Sequence, residues 1–142
     1  MDKKRYAGVA VKHEGKVLFC KRNSKGLYPG MWSIPGGSME EGESPEWTAK
    51  REFYEEMGVD IDGEKLNFVG LIPRFTRDGK KLKGAMYVYQ LDADKPVIPD
   101  LNNAIDGEEH TECGYYGLDE MTSDKVGEYL HKLIEVVLQW FY

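Results

Sequence analysis

The stretch Gly37-Ser-Met-Glu-Glu-Gly-Glu43-Ser-Pro-Glu-Trp-Thr-Ala-Lys-Arg51-Glu52-Phe53-Tyr54-Glu55-Glu56-Met57-Gly58-Val59 decides the reading of this chain. Ser44 followed by Pro45 marks a helix start, with Ser44 as N-cap and Pro45 at the first helical position. Glu46 in the first turn suits the positive end of the helix dipole. Gly58 is the expected stop, because glycine enters the left-handed region just past a last turn without a Cβ penalty. The helix this predicts, over 45–57, sets Ala49, Phe53 and Met57 on one face. Glu52, Glu55 and Glu56 fall together on a neighbouring face. Carboxylates crowded in this way repel one another and weaken a helix. The placement makes sense if a hard cation sits among them, in the manner of Mg²⁺ or Mn²⁺ held by carboxylates and phosphate oxygens.

The same residues carry a resemblance. Gly37, Glu43, Arg51-Glu52-Phe53, Glu55-Glu56 and Gly58-Val59 fill every specified position of the signature of the Nudix hydrolases. At ordinary amino-acid usage that coincidence arises about once in 10⁸ windows. The resemblance implies an α/β fold, the Nudix-type α/β/α sandwich with a mixed β-sheet. It also implies Glu52, Glu55 and Glu56 as metal-binding and catalytic carboxylates, and Mg²⁺ or Mn²⁺ as cofactor. Glu43 and Arg51 are expected to brace the loop–helix–loop without ligating the metal.

Working outward, composition bounds the rest. The 142 residues fit one domain, 1–142, with material for a sizeable core. At 41% hydrophobic and 12% aromatic the chain has the composition of a globular protein. A net charge of -6 argues against broad binding to nucleic acid or a membrane surface, which calls for a basic patch. No run reaches the ~18 apolar residues of a membrane-spanning helix, and Met1-Asp-Lys-Lys-Arg5 is not followed by the apolar core of a signal peptide. A cytoplasmic location is expected. Cys20 and Cys113 show no zinc or CxxC spacing and read as reduced core thiols.

Before the signature, 6–12 and 17–22 read as short strands joined by a turn at His13-Glu14-Gly15-Lys16, which leaves His13 solvated. Arg22 ends the second strand. It resembles a family arginine that contacts substrate phosphate, and equally suits a surface arginine on an edge strand. Leu27-Tyr-Pro-Gly-Met-Trp32-Ser-Ile-Pro-Gly36-Gly37 reads as a loop, a very short strand and a tight turn. It resembles the Pro-Gly-x-Trp-x-x-Pro-Gly-Gly run that leads into the signature in many family members, where the carbonyl matching Gly36 is a metal ligand. Trp32 reads as core. Trp47 and Tyr54, seven apart, share a helix face suited to packing or a subunit contact.

After the signature, 65–75 reads as a strand bent near Gly70 and Pro73, and 85–91 as the clearest alternating strand. Lys80, Lys81 and Lys83, with Arg74 and Arg77, form a basic hairpin tip. Residues 92–110 make a long loop, which in a compact domain is usually functional or mobile. By resemblance, a glutamate just before the last strand serves as metal ligand or general base. Glu109 fits that spacing best, Glu112 is the runner-up, and His110 is a further candidate base. Residues 112–118 read as the last strand, and 124–139 as an amphipathic helix behind Ser123.

The reading is therefore metal-dependent hydrolysis of a phosphoanhydride bond in a small nucleoside diphosphate derivative. A (d)NTP cut to (d)NMP and pyrophosphate is the leading case. ADP-ribose or nucleotide-sugar hydrolysis, and a non-catalytic nucleotide-binding regulator of the same fold, are the alternatives. The protein is expected as a monomer or homodimer.

Overall fold

The computed structural model describes residues 4–23, 30–76, 78, 80–122 and 125. The helix expected over 124–139, and the aromatic terminus after it, lie outside the described residues. So does Arg77.

Among the described residues, seven strands form one mixed sheet. They are β1 (Lys4–His13), β2 (Lys16–Arg22), β3 (Trp32–Ser33), β4 (Gly36–Ser38), β5 (Asn67–Phe75), β6 (Leu82–Asp92) and β7 (His110–Tyr116). β1 and β6 pair in parallel, from Lys4 opposite Gly84 to Lys12 opposite Asp92. The remaining pairings are antiparallel. The β1–β2 turn holds Glu14 at φ 50° and Gly15 at φ 78°.

β1 pairs with β2 only at Lys12–Val17 and His13–Lys16, and β4 then pairs with Tyr6, Ala7 and Gly8. Gly36 and Gly37 were expected in a tight turn; they lie instead in β4. Gly8 faces Gly36 in this pairing, and a Cβ on Gly36 would meet the Gly8 Cα at 2.7 Å. Glycine permits the close approach that lets a three-residue strand add to β1.

The single described α-helix, α1 (Pro45–Met57), starts and stops where its sequence predicts. Ser44 Oγ accepts the Trp47 N–H at 3.2 Å, Pro45 occupies the first helical position, and Gly58 sits at φ 70° with its N–H donating to the Tyr54 carbonyl. Ala49, Phe53 and Met57 pack on Ala7, Val9, Val11, Leu18 and Cys20, forming one core layer between α1 and the sheet. The opposite sheet face holds a second layer of Ala10, Val17, Phe19, Ile34, Ile72, Met86, Val88 and Met121. Trp32 packs against this second layer, its ring edge-on to Tyr116 with centroids 5.1 Å apart. Apolar layers on both faces are what an α/β/α arrangement requires of its sheet.

Two further expectations are corrected. His13 is not solvated: its Nδ1 lies 2.9 Å from the Ala93 carbonyl, and its ring packs edge-on against Tyr115. Tyr115 in turn uses its hydroxyl on both the Val97 N–H and the Val97 carbonyl, each at 2.8 Å, and so pins the long loop. Cys20 and Cys113 were expected as reduced thiols. They face each other directly across β2 and β7, with Cα atoms 4.0 Å apart, and are joined as a disulfide. Strand register, which residue spacing does not reveal, brings them together.

Candidate active site

Four segments converge at the C-terminal half of α1. The helix contributes Glu52, Glu55 and Glu56. β4 contributes the backbone of Gly36 and Gly37, β2 contributes Arg22 at its end, and the 3₁₀ turn Gly107–Glu109 contributes Glu109 just before β7.

The long loop reaches the helix because the helix end needs partners. The last carbonyls of an α-helix have no intrahelical donor. The Asp100 N–H supplies the Met57 carbonyl and the Asp106 N–H supplies the Glu55 carbonyl, each at 2.7 Å. From the other side, Asn23 donates its backbone N–H to the Glu109 carbonyl at 2.9 Å. The 92–110 loop is thus stitched both to α1 and to the end of β2, with Glu109 held between them. Glu112, the alternative to Glu109, pairs with Lys21 in the β2–β7 ladder and is exposed. It is Glu109 whose charge acts on Glu56, and the Glu55 charge acts on Glu109 in turn.

The three helix carboxylates are not equivalent. Glu56 belongs to the buried face of α1 and is 2% exposed, whereas the side chains of Glu52 and Glu55 are 16% and 26% exposed. Burial pushes the Glu56 carboxyl well above the usual carboxylate range, and the charges of Glu109 and Glu52 push it further the same way. Burial also raises Glu52 and Glu109. Glu52 and Glu56 lie within hydrogen-bond reach of each other, yet among the described residues no donor reaches Glu56 Oε2. Two ionised carboxylates can only accept, so this approach calls for a proton or a cation between them.

Arg51 is the brace. Its Nε lies 2.6 Å from Glu43 Oε2 and its Nη2 lies 2.9 Å from Glu43 Oε1, while the same Nη2 donates to the Ser38 carbonyl at 2.9 Å. Nη1 reaches Glu52 Oε1 and Glu55 Oε2, each at 3.1 Å. Thr48 Oγ1 adds a hydrogen bond to Glu43 Oε1 at 3.0 Å. One guanidinium therefore ties the pre-helix loop to two site carboxylates.

Arg22 lies close enough for its charge to act on Glu56, Glu109 and His110. Sequence reasoning left His110 as a possible base of unspecified surroundings. Its side chain is 1% exposed, its Nε2 lies 3.6 Å from Glu56 Oε1, and burial pulls its pKa down to about 4, with Arg22 adding to the shift. Nothing local in the sequence marks this contact. It follows from the β2–β7 register, which slips between Lys21 and Arg22 and sets His110 opposite Arg22.

Among the described residues, no three Asp, Glu, His or Cys side chains converge at metal-ligand distance. Arg51 accounts for part of this, since it occupies one oxygen each of Glu52 and Glu55. The residues nevertheless fit a hard divalent cation. The ligating atoms on offer are carboxylate oxygens, and Glu56 Oε2 is buried without a hydrogen-bond donor among the described residues. Gly37 lets the Glu52 carboxyl group lie directly against the β4 backbone, where a Cβ would collide with it.

Comparison with known proteins agrees with this geometry. The NUDIX domain model matches residues 2–137. Over 74 residues the chain is 36% identical to the nucleoside triphosphatase NudI of Enterobacter sp. (strain 638), covering 51% of this chain and 49% of that protein. Over 64 residues it is 39% identical to the 8-oxo-dGTP diphosphatase of Proteus vulgaris, covering 43% and 57% respectively. The chain thus spans about half the length of the curated relatives it matches. The fold superposes on a MutT NUDIX hydrolase from Burkholderia pseudomallei with a TM-score of 0.78 at 21% identity, covering 96% of this chain and 99% of the other. It superposes on the NUDIX domain of Shewanella oneidensis NrtR, solved with ADP ribose, with a TM-score of 0.71 at 19% identity, covering 100% and 90%. With its signature helix at the centre of the site and the family model matched over nearly its whole length, the chain belongs to the NUDIX domain family.

Proposed function

We propose that this protein hydrolyses the phosphoanhydride bond of a nucleoside triphosphate, giving the nucleoside monophosphate and pyrophosphate, with Mg²⁺ or Mn²⁺ as cofactor. The observation that carries the reading is the approach of Glu52 and Glu56, with no donor on Glu56 Oε2 among the described residues and with the charges of Glu109 and Arg22 acting on Glu56. The names of two relatives, a nucleoside triphosphatase and an 8-oxo-dGTP diphosphatase, support a triphosphate substrate.

In this reading Glu52, Glu55, Glu56, Glu109 and the Gly36 carbonyl hold the metal. When bound, the ion supplies charge neutralisation of the phosphates and a lowered pKa for a water it carries. The protein's own groups do the rest. Arg22 binds and orients a phosphate by charge-assisted hydrogen bonds. Glu109, whose affinity for a proton is raised by burial, accepts the proton of the attacking water at a carboxylate oxygen. The water oxygen bonds to phosphorus, the phosphoanhydride oxygen departs with the pyrophosphate, and the leaving group takes up a proton from solvent. Glu43 and Arg51 keep the carboxylates in place throughout. In this reading the partner is a small nucleotide and the protein acts as a monomer or homodimer.

Product analysis by mass tests the proposal. The panel holds canonical and oxidised (d)NTPs, ADP-ribose, nucleotide sugars and dinucleoside polyphosphates with Mg²⁺, and the same reactions with excess chelator are the blank. Monophosphate plus pyrophosphate from a triphosphate, abolished by chelator, is the expected result. Cleavage confined to ADP-ribose or a nucleotide sugar overturns the substrate class, and binding without turnover overturns the enzyme.

A further inference from the structure

We infer that two copies of this chain dock through one face, formed by the outer flank of α1 and the β5–β6 edge of the sheet. The product is a two-fold dimer with its β5 strands antiparallel, and it stands independently of the hydrolytic reading. Trp47 and Tyr54 on α1, and Phe68 and Leu71 on β5, are each about half exposed. Large apolar side chains gathered on a surface, rather than scattered singly, mark a contact with another molecule. These four share a face. Phe68 stands opposite Tyr89 and Leu71 is opposite Tyr87 in the β5–β6 ladder, and both tyrosines pack in the α1-side layer. The Phe68 ring lies edge-on to Tyr89 and tilted to Tyr87, with centroids 5.6 and 6.1 Å apart. On the helix side, Trp47 and Tyr54 line a cavity of about 240 Å³ together with Asp60 and Asp62. Lys50 Nζ donates to the Asp62 carbonyl at 2.9 Å, so the segment leading into β5 joins the two halves of the face.

Two observations make the occupant a second copy. β5 ends the sheet among the described residues, and a strand edge is satisfied by another strand. The bulge between Phe68 and Gly70, with Pro73 beyond it, confines such pairing to a short stretch and prevents open-ended stacking. The order of the charges is the second. Asp60, Asp62 and Glu64, all exposed, precede β5 and outnumber Lys65, whereas the exposed Lys80 and Lys81 follow it at the hairpin turn. Asp78, the acid at that turn, is engaged by the Thr76 hydroxyl and the Lys80 N–H. A two-fold that sets β5 antiparallel to its copy lays the acidic end of each chain against the basic end of the other, twice over. A different partner would have to carry both signs in the reverse order; a second copy does so by symmetry.

Sedimentation velocity on the full chain across the micromolar range tests the inference, with the unfolding midpoint measured beside it. The wild type is expected to dimerise. Leu71→Asp and Trp47→Ala are each expected to raise the dimer Kd about 10-fold or more while the protein stays folded. Lys80→Glu with Lys81→Glu sets acid against acid, and Asp62→Lys with Glu64→Lys sets base against base. Each pair is expected to weaken the dimer about 10-fold, and the four substitutions in one chain to bring it back. Raised salt weakens the wild type and the restored variant alike. Should Leu71→Asp fail to fold, the charge reversals carry the comparison, since all four positions are exposed. A wild type that stays monomeric overturns the inference. So does a dimer that survives both charge reversals, or one that the fourfold variant fails to restore.

Discussion

Arg51 grips Glu43 with two nitrogens at once, Nε at 2.6 Å from Oε2 and Nη2 at 2.9 Å from Oε1, across eight residues of chain. This bidentate pair holds the Glu43 carboxyl at about 2, far below the ordinary carboxylate value of 4.5. The folded-state pKa is depressed, so the stabilisation is fully present above pH 4.5 and is lost as pH falls towards 2. Glu43→Gln is expected to destabilise the protein by about 2 kcal/mol at pH 7 and to flatten the loss of stability between pH 4.5 and 2. Chemical denaturation at a series of pH values measures both. Parallel pH profiles for the two proteins would rule out the pair as the source of acid sensitivity.

Glu56 is a buried carboxylate crowded by Glu52 and Glu109, so its charge is held at a cost to the fold. Glu56→Gln removes that charge. The variant is expected to melt about 3–6 °C higher than the wild type in chelator, yet to lose at least ~10²-fold in turnover. Adding Mg²⁺ should raise the wild-type midpoint by mass action and leave the variant almost unmoved. Scanning calorimetry with and without Mg²⁺, beside a turnover assay, checks all three. A less stable variant with unchanged activity would remove Glu56 from the site.

The loop that carries Glu109 turns tightly at Gly107, where a Cβ would collide with the Leu101 carbonyl. Gly107→Ala therefore forces the loop to move next to Asp106, whose N–H caps the Glu55 carbonyl. A displacement of Glu109 by as little as an ångström is expected to lower kcat on the order of 10- to 10²-fold. Gly63→Ala, which meets nothing within 4 Å, is the control and should leave kcat as it is. Equal rates for the two variants would mean that the loop does not position a reacting group.

Much of the signature region was legible because its determinants are local. Ser44, Pro45 and Gly58 fix the ends of α1 through hydrogen bonds and φ preferences spanning a few residues, and helical geometry then spaces Glu52, Glu55 and Glu56. The alternation of 85–91 likewise lies within β6 (Leu82–Asp92), and the last strand, expected over 112–118, is β7 (His110–Tyr116). Where the sequence misleads, the deciding contact is long-range. His13, read as a solvated turn residue, finds its partner at Ala93. Gly36-Gly37 looks like a turn until β1 offers it a free edge. Cys20 and Cys113 are ninety-three residues apart and meet only through the β2–β7 pairing.

By itself, the sequence determined the helix, its caps, its three carboxylates, the strand segments and the family they resemble. Only the tertiary structure decided that Glu56 is fully buried while Glu52 and Glu55 are partly exposed, that the charge of Glu109 acts on Glu56, and that His110 lies against Glu56. The physical reason is range. Capping and periodicity act within a few residues, whereas burial and charge environment depend on which strand lies beside which, and that is settled only when the whole sheet closes its register.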